Sequence, residues 1–232
     1  MTSYHGGKQR IGKHLAPVIY NEATYIQDEE GFKIKGYCEP FCGMLGVYQH
    51  IPEMFGGELK YKAGDQNKSL IMMWQATQKG WKPPTTKSKK EYEDLRYNKK
   101  SSAIKGFIGH VATFRGIYFG HYYTGFTNSK VKYSSKKVSD IGTKLKNVTF
   151  SSGLYTQFSN LKNYIIYCDP PYENTAQRYY DDEINMLKFD SDQFWNWCRK
   201  MSKNNIVFVS SYNAPKDFEK IWQHNQEKLY IM

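Results

Sequence analysis

The sequence predicts an α/β fold, a mostly parallel sheet with helices on both faces, interrupted by a small basic insertion. Short apolar, β-branched runs alternate with segments of helical spacing, the pattern of strand–helix–strand units. Three of the strand-like runs end on a carboxylate, Glu39, Asp65 and Asp169. Residues 83–148 hold 14 Lys/Arg and four Asp/Glu, an excess of ten in a chain of net charge +11. The rest of the molecule is close to neutral.

The elements follow in chain order. "SYHGGKQRIGKHL" (3–15) sets an aromatic, a double glycine and Lys8 before an amphipathic helix. It reads either as a flexible first turn or as a clamp that brings Tyr4 and Lys8 to the charged tail of a ligand. "KIKGYCEPF" is a strand running into a loop, and the following "CGMLGV" carries Gly43 and Gly46. Glycines there let the backbone approach a ligand, and the acid at the strand end can accept from hydroxyls or an amine. The spacing is GxxG, neither a dinucleotide fingerprint nor a phosphate loop, so a tight structural turn reads equally well. "LKYKAGDQN" is a second strand, ending on Asp65, where nucleoside-binding sheets place an acid for the ribose diol. The competing reading of Asp65 is a helix N-cap, a job that Asn67 could also take. "KSLIMMWQATQKG" is a helix ended by Gly80.

The composition breaks at "KPPTTKSKK", so the chain divides into residues 1–82, an insertion over 83–148, and residues 149–232. Within the insertion, "GFIGHVATFRGIYFGHYYTGF" (106–126) has seven aromatics beside Arg115, His110 and His121, helical in its first half and Gly/Tyr-rich in its second. "TNSKVKYSSKKVSDIG" reads as an exposed hairpin or loop with alternating lysines. A charge run is usually a solvated face. A surplus gathered in one aromatic-laced segment points instead to a polyanion, with phosphate contacts from Lys130, Lys132, Lys136, Lys137 and Arg115. Residues that probe base edges are expected among Arg115, Tyr122, Tyr123, Thr127, Asn128 and Ser129.

"NYIIYCDPPYEN" raises the sharpest question, because a buried strand stops on Asp169 and two prolines. Prolines cannot donate to a ladder, so this end is rigid by construction. Pro170 and Pro171 fix the backbone, aim the Asp169 carboxylate and leave carbonyl oxygens as acceptors. Tyr172 adds a flat face for stacking, for which its hydroxyl is not needed. Two acceptors beside an aromatic plate suit a planar NH2, whose lone pair can then attack an electrophilic carbon. "DSDQFWNWCRKMSKN" is a helix starting at Asp190/Ser191, and "NNIVFVSSYNAP" is a further buried strand.

Composition narrows the rest. Hydrophobic residues make up 40% and aromatics 16% of 232 residues, enough for a packed core. No run approaches the ~18 apolar residues a membrane span needs, and "MTSYHGGKQR" has no signal-peptide apolar region. Cys38, Cys42, Cys168 and Cys198 lack zinc spacing and read as reduced thiols of a cytosolic protein.

The order "HGGK", "EPFCG", "GDQN", insertion, "DPPY", "VSSYNAP" resembles that of the amino-DNA methyltransferases that include the Dam-type adenine methylases, over nearly the whole chain. The resemblance implies a Rossmann-like methyltransferase sheet that binds S-adenosylmethionine, an insertion that reads duplex DNA, and no metal. It implies Tyr4 and Lys8 along the cofactor, Asp65 at its ribose, Tyr155 beside its adenine, and Glu39, Phe41 and Gly43 in the motif loop. Asp169 is expected near both the methionine amine and the target base, with Pro170, Pro171 and Tyr172 completing the catalytic tetrapeptide. The reaction implied is adenine-N6 methylation of a flipped-out base, in the cytoplasm or wherever the target DNA resides. Cytosine-N4 methylation, methylation of RNA or a protein amide, and a catalytically dead DNA-binding module are the alternatives. A restriction endonuclease of the same recognition site stays open as a partner, as does the oligomeric state. Two departures are expected: the insertion lacks the residues by which Dam-type proteins read GATC, and the chain ends at "EKLYIM", where relatives continue into a final strand pair.

Overall fold

The structure, a computed structural model, describes residues 6–56, 59–125, 127–172 and 189–232. Among these the first half of the chain gives α1 (Gly12–Glu30), β1 (Gly36–Glu39), α2 (Pro52–Phe55), β2 (Lys60–Asp65) and α3 (Lys68–Gln78). The insertion holds α4 (Lys89–Tyr97), α5 (Ala103–Val111) and α6 (Asn128–Gly142). There follow β3 (Val148–Ser152), β4 (Tyr164–Cys168), α7 (Ser191–Ser202), β5 (Ile206–Ser211), β6 (Glu219–His224) and β7 (Glu227–Ile231).

The sheet order is β3-β2-β1-β4-β5-β7-β6. The pairs from β3 to β5 are parallel, and β7 is antiparallel to both β5 and β6. The chain moves outward from β1 to β2 and β3, then returns to β4 on the other side of β1. Strand order therefore reverses between β1 and β4, where the connecting loops part and leave a crevice. Every residue of β1, β4 and β5 is buried, which is why these strands read as unbroken apolar runs rather than alternating ones. The edge strand β6 is polar and largely exposed, a composition that discourages edge-to-edge pairing.

The expected strands and helices form where the sequence puts them, with two corrections. The segment expected as a lysine-rich hairpin or loop is α6, a 15-residue helix. Its buried positions Val131, Ser134, Ser135, Val138, Ile141 and Gly142 recur every three or four residues, so one stripe faces the core and the lysines fill the remainder. The small, polar serines in that stripe hide its period. Second, the final strand pair expected to be missing is present as β6 and β7, and "EKLYI" is itself the strand that joins β5.

Two apolar clusters pack against the sheet. One contains Phe194, Trp195, Trp197 and Met201 of α7 with Tyr155, Phe158 and Val207. The other joins Tyr37, Tyr61 and Ile165 of the sheet to Leu15 and Ile19 of α1, Trp74 of α3, and Phe107, Ile108, Val131, Val138 and Ile141 of the insertion. The insertion thus shares the main core. No helix among the described residues is long and apolar enough to cross a membrane.

Candidate active site

A cleft of about 1060 Å³, mouth included, opens over the carboxyl ends of the central strands. The loop after β1 forms its floor. Pro40 cannot extend the ladder, and Cys42 N donates instead to Gly64 O at 2.8 Å. Gly43 adopts φ 46°, a left-handed conformation that favours glycine. Its N–H donates to Asp65 Oδ2 at 3.1 Å, and its carbonyl accepts from Trp74 Nε1 at 2.9 Å. A side chain on Gly46 would sit 2.8 Å from the carbonyl carbon of Lys8. The second glycine of GxxG therefore lets the chain's own Lys8–Gln9 segment lie against the loop, which brings Lys8 into the cleft.

Asp65 and Asn67 divide the work that the sequence left open between them. Asn67 caps α3, its Oδ1 accepting from Leu70 N at 2.9 Å. Asp65 Oδ1 accepts from Asn67 N at 2.9 Å while Oδ2 holds Gly43, so this carboxylate ties the ends of β1 and β2 together. Burial raises its pKa above the usual carboxylate range, and these N–H groups oppose the shift. Asn67 Nδ2 is buried in the cleft wall with no hydrogen-bond partner among the described residues.

The two ends of the cleft differ. At one end Phe41 stacks on Tyr155, with ring centroids 5.4 Å apart and planes at 28°. Phe189 and Phe194 stand edge-on to Phe41 at 6.1 and 5.6 Å. Burial pushes the Tyr155 phenol up to about 12. This end is an aromatic slot suited to a flat heterocycle.

The other end is acidic. Glu39 is 2% exposed and accepts from Tyr37 Oη at 2.7 Å, and burial holds its carboxyl well above the usual range. Asp169 Oδ1 pairs with Lys8 Nζ at 2.7 Å and accepts from Tyr172 Oη at 3.2 Å. Burial raises the pKa of Asp169, and Lys8 opposes the rise. Tyr172 Oη also donates to Glu227 Oε2 at 2.6 Å, and Glu227 lies 3.6 Å from Lys8 Nζ. Two carboxylates, Asp169 and Glu227, thus flank one buried lysine, and Glu39 lines the same cleft, so acids outnumber bases here and a cationic or amine ligand is favoured.

Lys8, Glu39, Phe41, Gly43, Asp65, Tyr155, Asp169 and Pro171 all line this one cleft. Pro170 is buried behind it, and Tyr172 stands at its acidic end. Tyr4, the other half of the expected clamp, lies outside the described residues. The Tyr172 hydroxyl is not spare, because it bridges two carboxylates, and Lys8 Nζ lies 4.8 Å over its ring.

The expected DNA contacts are spread along the insertion. Lys130, Lys132, Lys136 and Lys137 are exposed on α6, and Lys136 is paired with Asp140 at 3.1 Å. Asn128 opens that helix, and its Oδ1 accepts from Lys87 N at 3.3 Å. Thr127 and Ser129 beside it are exposed. Arg115 is exposed at φ 57° beside Phe114, and Tyr123 is exposed with its edge to the same ring. Tyr122 packs against Tyr92 at 5.3 Å with Lys87 Nζ 3.8 Å over its ring, so most of its surface serves the fold.

Sequence reasoning missed several residues of the cleft region, Phe189 and Phe194 of the aromatic slot among them. Glu227 carried no signal, being one acid in a polar edge hairpin. Tyr212, 4.5 Å edge-on to Tyr172, lay unnoticed inside "SSYNAP". His110 and Tyr118 of the insertion also line the cleft, beside the DNA-reading part expected of that segment. Their spacing is that of core residues, and only the fold reveals the second role.

A seven-stranded sheet with β7 antiparallel between β5 and β6, and acids at its switch point, is a Rossmann-like methyltransferase architecture. Residues 112–231, just over half the chain, match the model of the D12 class N6 adenine-specific DNA methyltransferases, and the protein belongs to that family. The matched span runs from the end of α5 through β7 and includes DPPY; Lys8, Glu39 and Asp65 precede it and reach the site through the fold. No individual curated protein matches the chain.

Proposed function

We propose that this protein transfers a methyl group from S-adenosylmethionine to the N6 amine of an adenine flipped out of duplex DNA. The observation that carries the reading is the joining, in one cleft, of an aromatic slot at Phe41 and Tyr155 to an acidic end at Asp169. The residues present fit the cofactor. The aromatic slot suits its adenine, Asp65 and the buried Nδ2 of Asn67 suit ribose hydroxyls, and the acidic end suits the methionine ammonium. When bound, S-adenosylmethionine supplies a methyl carbon already electrophilic through its sulfonium centre.

The chain's own part is positioning. A base must leave the stack to reach the cleft, at a cost of a few kcal/mol. Both described contacts of Asp169 fall on Oδ1, so Oδ2 is available to accept one hydrogen of the incoming amine. The carbonyl of Pro170 or Pro171 accepts the other. Held between these acceptors, the nitrogen turns its lone pair toward the methyl carbon, and alignment supplies much of the rate. The proton that the methylated amine gives up passes to Asp169 or to water. Exposed basic residues of the insertion, Lys130, Lys132, Lys137 and Arg115 first among them, hold phosphates.

Incubation with labelled cofactor and mixed-sequence duplex DNA, followed by digestion to nucleosides, tests this. Label in N6-methyladenine is expected. Label in N4-methylcytosine would move the assignment to the cytosine reading, and label only on RNA or protein would refute it.

A further inference from the structure

On the reading of this cleft as a DNA amino-methyltransferase site, we infer that Glu227 is a positioning residue that keeps Asp169 open as an acceptor for the target amine. The premise is a competition for donors. Tyr172 has one hydroxyl hydrogen and two carboxylates within reach, Glu227 Oε2 at 2.6 Å and Asp169 Oδ1 at 3.2 Å. The shorter contact takes the hydrogen. Lys8 likewise lies between the two, 2.7 Å from Asp169 and 3.6 Å from Glu227.

Without Glu227 the Tyr172 hydrogen would turn to Asp169 and join Lys8, which is already paired with it. A carboxylate has about four lone-pair sites, and an ammonium plus a phenol directed at them would leave a weaker acceptor for the amine. Its charge would also be matched one to one by Lys8. With Glu227 present the cluster keeps a second anion, and Lys8 has somewhere else to turn when the base arrives.

Glu227 also fixes the ring of Tyr172. The hydroxyl is tied at one end, Lys8 lies over a face, and Tyr212 meets an edge at 4.5 Å. Glu227 itself is the first residue of β7, in register with His224 across the hairpin, so its backbone is set by the sheet. A rigid strand that delivers one carboxylate behind the tetrapeptide is a support for the site, and Glu227 need not touch the base.

The test is single-turnover methyl transfer at saturating cofactor and DNA for Glu227→Ala, Glu227→Gln, Tyr172→Phe and the Glu227→Ala/Tyr172→Phe double variant. Glu227→Ala is expected to slow transfer by about tenfold, the weight of one hydrogen bond to a charged group. The aromatic slot is untouched, so cofactor affinity should fall by less than the rate, which is read at saturating cofactor. Glu227→Gln keeps an oxygen for the Tyr172 hydroxyl and should recover part of the rate, which a merely structural role would not predict. In the double variant the two losses should combine to less than their product, since both act through the same hydroxyl. Should Glu227→Ala fail to fold, a Glu227→Gln enzyme slower than wild type decides for the inference and one at wild-type rate decides against it. A wild-type rate for Glu227→Ala, or fully multiplicative losses, overturns the role of Glu227 while the assigned function stands. No N6-methyladenine from the wild-type protein overturns the function and this inference together.

Discussion

At the scale of the residue, the site is a set of carboxyl groups whose environments differ. Glu39 is the most enclosed, and its raised pKa has a stability consequence. The folded protein holds the proton more tightly than the unfolded chain does. The associated stability is therefore complete below the unfolded value of about 4.3 and declines as pH rises toward the folded value. Glu39→Gln keeps an acceptor for Tyr37 without the charge, so it should melt at a higher temperature than wild type at neutral pH. That gain should shrink as pH falls, and calorimetry across pH would show it; a gain independent of pH contradicts the burial argument. Asp169 gives a second prediction. In the proposed mechanism it must be ionised to accept the amine, so transfer should fail on the acid side with a midpoint above the ordinary aspartate value of about 3.9. Lys8 holds that midpoint down, so Lys8→Met should move the acid limb of the rate profile to higher pH. An unmoved limb would mean that the ion pair does not govern Asp169.

At the scale of the element, the loop after β1 is a short span held from behind. Gly43 is tied through its N–H to Asp65 and through its carbonyl to Trp74. Trp74→Phe keeps the packing and removes the indole donor, so it should cost about 0.5–1.5 kcal/mol of stability, the usual net worth of such a bond. It should also weaken cofactor binding, because Phe41 rides on the same loop. Denaturant unfolding and cofactor titration check the two halves separately. The helix α6 makes a different prediction. Lys130, Lys132, Lys136 and Lys137 stand on its exposed face, and Lys136 is already matched by Asp140. Each true phosphate contact adds about 0.9 to the slope of log affinity against log salt. Neutralising all four should flatten that slope by up to about three units, equally on different duplexes, with Lys136 contributing least. A slope unchanged from wild type would make α6 a solubilising surface and place DNA elsewhere.

At the scale of the whole molecule, the parallel strands were legible because total burial writes them as continuous apolar runs, as in "YIIYC" and "IVFVSS". Their carboxyl-end acids were legible because a charge or a proline directly after such a run has few structural explanations. The topology that unites Glu39 with Asp169 at the switch point was implied only through the resemblance. Helix α6 was misread because Ser134 and Ser135 occupy core positions that an apolar count skips. Glu227 was invisible because it reaches the site only through the antiparallel return of β7, a contact 58 residues from Asp169 in sequence that no local pattern records. The insertion's part in the cleft, through His110 and Tyr118, was hidden for the same reason. The consequence is that the basic segment shares the main core of the sheet and also lines the cleft, whose aromatic slot packs into the second cluster.

The measurement that bears most directly on this account is base-resolved mapping of modified DNA from a host lacking its own adenine methylation and expressing either the wild-type chain or Asp169→Ala. The wild type is expected to leave N6-methyladenine at one recurring sequence, and the folded Asp169→Ala protein to leave none. Adenine methylation that persists in the Asp169→Ala host, or modification by the wild type confined to cytosine, would contradict it.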